Sequence, residues 1–147
     1  VGRLRSPQHR ALCDDYIKRL ARLCSFSMLE VKDVRGVDPS RAPAVEGQRL
    51  LRQLPDSCTA VSLDERGRDL TSEQLARWLQ EKADSGTRDL RLVVGGPYGL
   101  AQEVRSRCRE SLRLSSMTLP HELARTLLLE QLYRAHTILK RLPYHNS

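Results

Sequence analysis

The sequence predicts an α/β fold: a parallel β-sheet with helices packed on both of its faces. Three observations predict it. Short apolar runs rich in β-formers alternate with stretches of helical periodicity along the whole chain. Two of those runs, Cys58 to Leu63 (CTAVSL) and Leu90 to Val94 (LRLVV), are largely apolar, as strands covered on both faces are. The chain has 147 residues, enough for one compact domain with its own core and too few for two catalytic domains.

The elements follow in order. Val1-Gly2 reads as the end of an element already under way. A helix begins near Pro7, with Leu12, Tyr16, Leu20 and Leu23 at helical spacing. Met28 to Val34 is short and rich in β-formers, so a strand is expected there. A second helix is expected from about Ala44 to Leu54, ahead of the strand at 58–63. Thr71 followed by Gln74 has the form of a capping box, which places a third helix at about 72–84 and ends it at Ser85-Gly86. After the strand at 90–94 come Gly95-Gly96-Pro97-Tyr98-Gly99, a helix at about 101–109, and a short strand at Leu112 to Leu114. Pro120, where a helix tolerates a missing N–H, opens the longest helix, whose apolar pattern runs to about Leu142.

Composition restricts the function. Hydrophobic residues make up 39% and charged residues 29%, a globular balance; aromatics are only 4%, which disfavours a reader of single-stranded nucleic acid that works by stacking. Lys plus Arg number 25 against 18 Asp plus Glu, a net charge of +7, so a polyanion such as RNA or DNA is the expected partner. The only lysines are Lys18, Lys32, Lys82 and Lys140; the remaining cations are arginines, scattered among acids. Cys13, Cys24, Cys58 and Cys108 fit no metal-ligand spacing and are expected to be reduced thiols, with no metal bound. No apolar run reaches the length of a membrane span. A cytoplasmic location is expected, or an organellar one if a targeting segment precedes Val1.

In an open parallel sheet, ligands bind beyond the carboxyl ends of the strands. Three loops qualify: the one after Leu63 (LDERG), Gly95 to Gly99, and Leu114 to His121 (LSSMTLPH). The glycine loop lacks both the Gly-Lys-Ser/Thr ending of a phosphate loop and the Gly-x-Gly-x-x-Gly spacing of a dinucleotide fold, which argues against nucleoside triphosphate or NAD.

Taken in order, Leu63-Asp64-x-x-Gly67, Leu92-Val-Val-Gly95-Gly96-Pro97-x-Gly99-Leu100, Leu114-Ser-x-Met-Thr118-Leu119-Pro120-His121-x-x-x-Arg125, Glu130-Gln131-x-Tyr133-Arg134-Ala135 and Pro143-Tyr144-His145 resemble the RlmH family, the pseudouridine methyltransferases of large-subunit ribosomal RNA in the SPOUT superfamily. The resemblance spans nearly the whole chain and implies that Val1-Gly2 is the end of the family's first strand. It implies a single domain over residues 1–147 whose C-terminal part forms a deep trefoil knot, and a homodimer. It also implies S-adenosylmethionine bound by Leu63, Gly95, Gly96, Leu114, Ser115, Ser116, Met117, Thr118 and Leu119, with Pro97 and Gly99 shaping the pocket. The substrate would be a pseudouridine, methylated at ring nitrogen 3 on the assembled ribosome. His121, Arg125, Arg134 and Tyr144 would contact RNA, and His145, Tyr144 and Arg125 would carry the chemistry, with His145 or a neighbour assisting proton removal.

Each residue also has a plainer reading: His121 as a helix-end polar group, Glu130 and Arg134 as an ordinary i,i+4 pair, His9 and His136 as structural histidines, and Trp78 as core. The sequence departs from the family at Tyr98, where an acidic residue is typical, and at its uncharged last residues Asn146-Ser147. A catalytically silent RNA- or ribosome-binding relative is the competing expectation.

Overall fold

The computed structural model describes residues 1–34 and 36–145. The chain divides into two compact units that alternate along the sequence: Val1–Arg3, Glu30–Asp69 and Thr87–His121 form one, and residues 4–29, 70–86 and 122 onward form the other.

The first unit carries the sheet. Helix α2 (Ala42–Leu51) precedes strand β1 (Thr59–Asp69); β2 (Leu90–Val94), α4 (Gln102–Arg107) and β3 (Glu110–Arg113) follow. The strands are parallel in the order β2-β1-β3, so β1 is central, as the near-continuous apolar run at its start requires. Ala60 and Val61 are fully buried, and Ala60 joins Leu50 of α2, Val93 of β2 and Val104 of α4 in one apolar cluster.

Three expectations need correcting here. Met28 to Val34 forms no strand: Gly2 N–H donates to Val31 O at 2.8 Å and Val34 N–H to the Glu46 carboxylate at 3.1 Å, isolated bonds in place of a ladder. β-propensity measures fit to a pleated, paired surface, and no strand pairs with this segment. Val1-Gly2 forms no strand either, although the Val1 amino group donates to Val94 O at 2.9 Å. The residues after Leu63 are not a strand-ending loop, because β1 continues to Asp69 through a bulge: Leu63 and Arg68 both pair with Leu112, and residues 64–67 are pushed out between them. Gly67 makes the bulge possible, since a Cβ there would come within 2.7 Å of the Leu112 amide nitrogen and carbonyl oxygen.

The second unit is helical, with α1 (Pro7–Leu20), α3 (Ser72–Asp84) and α5 (His121–Leu139) beyond its first residue. Ser6 caps α1 by accepting His9 N–H at 3.3 Å, ahead of Pro7 in the first turn. The capping box of α3 forms as expected: Gln74 N–H donates to the Thr71 hydroxyl at 3.2 Å and Thr71 N–H to the Gln74 side chain at 2.8 Å. Trp78 is buried, as the core reading requires. His9 bonds Thr126 of α5 at 3.1 Å, and the amides of Arg5 and Ser6 donate to Glu122 at 2.6 and 3.3 Å. On α1 the expected stripe holds at Leu20, which is buried, but not at Leu12, which is exposed while its neighbour Cys13 is buried in its place.

Helix α5 stops at Leu139, short of Leu142, because the chain reverses. Leu142 N–H donates to Thr137 O at 2.9 Å and Arg141 N–H to Ile138 O at 3.0 Å, a Schellman motif with Arg141 at φ 54° in the left-handed position that glycine usually occupies. This reversal sends the tail back along α5. Among the described residues, no helix is long and apolar enough to cross a membrane, and no three His, Cys, Asp or Glu gather as a metal site.

Candidate functional site

In the first unit, register decides what meets at the sheet's carboxyl edge. Leu63 of β1 pairs with Val94 on one side and Leu112 on the other, so Gly95 leaves β2 and Leu114 follows β3 beside the same central residue. Three of the sequence-predicted cofactor positions are thereby brought to one edge. The loop after β2 is closed on itself: Gly99 N–H donates to Gly96 O at 3.0 Å, and a Cβ on Gly95 would lie 2.9 Å from the Gly99 carbonyl carbon. Only glycine permits that closure, and it leaves bare backbone at the strand end.

The loop after β3 is irregular. Leu114, Ser115 and Leu119 are half-buried, Ser116 and Thr118 are exposed, and Met117 is 74% exposed. The Ser115 hydroxyl accepts Met117 N–H at 3.0 Å, which turns the loop locally. Half-buried leucines beside loop backbone suit a ligand with an apolar ring and a polar edge. Two residues to which the sequence assigns no role of their own flank this edge: Asp64 of the bulge and Arg105 of α4 form an ion pair at 3.1 Å. The Asp64 to Gly67 spacing was visible in the sequence, but its pairing with a helix forty residues on was not.

The polar candidates of the tail belong to the second unit, where they form a connected cluster. The Tyr144 hydroxyl donates to Glu130 at 3.2 Å and lies 3.3 Å from the Tyr16 hydroxyl; its ring meets Tyr133 edge-on, centroids 4.8 Å apart. Arg134 is paired with Glu130 at 2.6 Å and its guanidinium lies 4.8 Å from the Tyr144 ring centre. His145 joins the cluster, with Nε2 at 2.6 Å from Glu73 and Nδ1 at 3.4 Å from Arg134. The i,i+4 pair of Glu130 and Arg134 therefore exists, and it is also the hub of the cluster.

Electrostatics separates the roles. Burial, then the Tyr16 hydroxyl and the Glu130 carboxylate, push the Tyr144 phenol well above its ordinary value, so Tyr144 is a hydrogen-bond donor and not a base near neutral pH. Glu73 is held down at about 2 by the Thr71 hydroxyl, by its own backbone N–H and by His145, so it is a carboxylate throughout the physiological range. Of the remaining candidates, Arg125 is buried in α5 with 7% exposure, and His121 is half-buried at the start of that helix. Tyr16 and Glu73 are the members sequence reasoning missed. Tyr16 was legible only as part of an apolar stripe, and Glu73 only as a first-turn acid.

A parallel sheet with a glycine-closed loop and an irregular apolar loop at one edge can hold a small ligand, and the sequence assigns the protein's class. The family described as "Predicted SPOUT methyltransferase" matches residues 1–145, and the chain belongs to that family. A methyl donor is therefore its cosubstrate. Among individual relatives, a protein of Maridesulfovibrio salexigens is 42% identical over 147 residues, covering 99% of this chain and 94% of that protein. One of Bordetella pertussis is 44% identical over 137 residues, covering 91% and 87%, and one of Gloeobacter violaceus is 42% identical, covering 100% and 95%. All three are named "Ribosomal RNA large subunit methyltransferase H".

Proposed function

We propose that the protein methylates ring nitrogen 3 of a pseudouridine in large-subunit ribosomal RNA, using S-adenosylmethionine, and that it acts on the assembled ribosome. The observation that carries this reading is the register that sets Leu63, Gly95 and the loop from Leu114 at one sheet edge, in a chain similar over nearly its full length to proteins named for that substrate class. In this reading residues 1–147 form a single domain with a knotted C-terminal part, and two copies pair as a homodimer.

The first unit's residues fit the donor. Gly95 and Gly96 present backbone, Leu63, Leu114 and Leu119 present apolar surface, and residues 115–118 present main-chain donors and acceptors. When bound, the donor supplies an electrophilic methyl group on a sulfonium. The protein's own task is to align the target nitrogen with that methyl and to accept the nitrogen's proton. We assign proton removal to His145; the Tyr144 hydroxyl, which donates to Glu130, steadies the tail next to it. Arg134 lies beside them, paired with Glu130, and His121, half-buried at the start of α5, is the remaining substrate contact we propose.

Calorimetry with S-adenosylmethionine tests the cofactor assignment: micromolar binding that weakens at least tenfold in Gly95→Val is expected. A folded protein with no binding would support the silent ribosome-binding alternative.

A further inference from the structure

The mechanism above leaves one carboxylate of the tail cluster without a role. Glu73 sits in the first turn of α3, where the Thr71 hydroxyl donates to its Oε2 at 2.7 Å while its Oε1 lies 2.6 Å from His145 Nε2. The other ring nitrogen, Nδ1, lies 3.4 Å from the Arg134 guanidinium, which can only donate. A carboxylate can only accept, so the neutral ring satisfies both neighbours in one way: Nε2 carries the proton and Nδ1 carries the lone pair.

We propose that Glu73 is the positioning residue for His145, fixing the ring with Nε2–H toward the carboxylate so that Nδ1 is the atom that accepts a proton. The inference rests on the assignment of His145 as base. The groups facing the ring are Glu73 on α3 and Arg134 on α5, with Glu130 paired behind Arg134. The two contacts are unequal. The one to Glu73 is short and involves a full negative charge, whereas the one to Arg134 is at the long limit for a hydrogen bond and can give way to a substrate proton. Glu73 is itself well anchored, because Thr71 is also the cap of α3 and binds Gln74 N–H. The tail is therefore oriented from a helix end 72 residues earlier in the chain. A carboxylate that orients a histidine ring also stabilises the imidazolium formed when the ring takes a proton.

Long-range proton–nitrogen NMR on the full-length chain tests this directly, with the His145 ring assigned by its absence in His145→Ala. In the wild type at a pH where the ring is neutral, Nε2 is expected to be protonated and Nδ1 unprotonated. Glu73→Gln should preserve that pattern, because its amide oxygen still accepts from Nε2–H. Glu73→Ala should shift the signals toward a mixture of tautomers and lower single-turnover methylation of ribosomes about tenfold with little change in KM, a loss in the range that outer-sphere supports of a histidine usually produce. A His145 spectrum unchanged in Glu73→Ala, with both variants folded, would overturn the proposal. If the tautomer follows Glu73 while His145→Ala methylates at the wild-type rate, the positioning stands and the base assignment falls.

Discussion

At the scale of single residues, the most constrained position is Gly67. The bulge in β1 requires its backbone to lie directly on Leu112, and a methyl group would meet main-chain atoms that have nowhere to move. Gly67→Ala should therefore cost about 1–3 kcal/mol, the usual range for forced overpacking, read as a lowered denaturant midpoint. A midpoint equal to the wild type would mean that the bulge is absent. A second residue-scale prediction concerns His136, half-buried on α5. Burial lowers its pKa below the ordinary 6.5, and Lys140 adds to the effect. The unfolded chain then takes up the proton more readily than the folded one. Stability is full above about pH 6.5 and declines as pH falls below that value. Replacing His136 with Gln should flatten the fall in urea midpoint between pH 7.5 and 5.5; an equal slope in both proteins would exclude His136 as its source.

At the scale of elements, legibility tracked how local the determining interactions are. The cap of α3 needs only Thr71 and Gln74, three residues apart, and the structure forms it as read. The strands at 58–63 and 90–94 carry their burial in their own composition, and β1 and β2 start within a residue of the expected positions. Met28 to Val34 failed because a strand is defined by its partner, which local β-propensity does not supply. The bulge was unreadable for a related reason: Asp64-Glu65-Arg66-Gly67 has turn composition, and only the second pairing of Leu112 shows that the strand resumes. The end of α5 was misplaced because its stop signal is an arginine. Arg141 occupies a left-handed conformation that costs a non-glycine residue about 1 kcal/mol or more. Arg141→Gly should accordingly stabilise the protein by about 1 kcal/mol, measured as a raised thermal midpoint; a lowered midpoint would show that the arginine side chain contributes more than its backbone costs.

At the scale of the whole molecule, the grouping of the proposed cofactor positions was more legible than that of the proposed catalytic ones. Leu63, Gly95 and Leu114 each follow or end a strand, so a parallel sheet alone brings them to one edge, and the register does so. His145 and Glu73 are separated by 72 residues and meet only after the turn at Arg141, a reversal that no motif announces. Charge reads differently at this scale too. The net +7 is not gathered into a patch by sequence: Arg134, Arg105, Arg91 and Arg113 are each tied to an acid, at Glu130, Asp64, Asp89 and Asp69.

The most direct test of the central claim is methyl transfer itself. Purified protein is incubated with S-adenosylmethionine labelled in its methyl group and with ribosomes from cells lacking the protein, and the nucleosides of each ribosomal RNA are analysed by mass spectrometry. The account predicts label in large-subunit RNA alone, recovered as a pseudouridine methylated at nitrogen 3, and little transfer to protein-free RNA. Label in another RNA, or none under conditions where the donor binds, would contradict it.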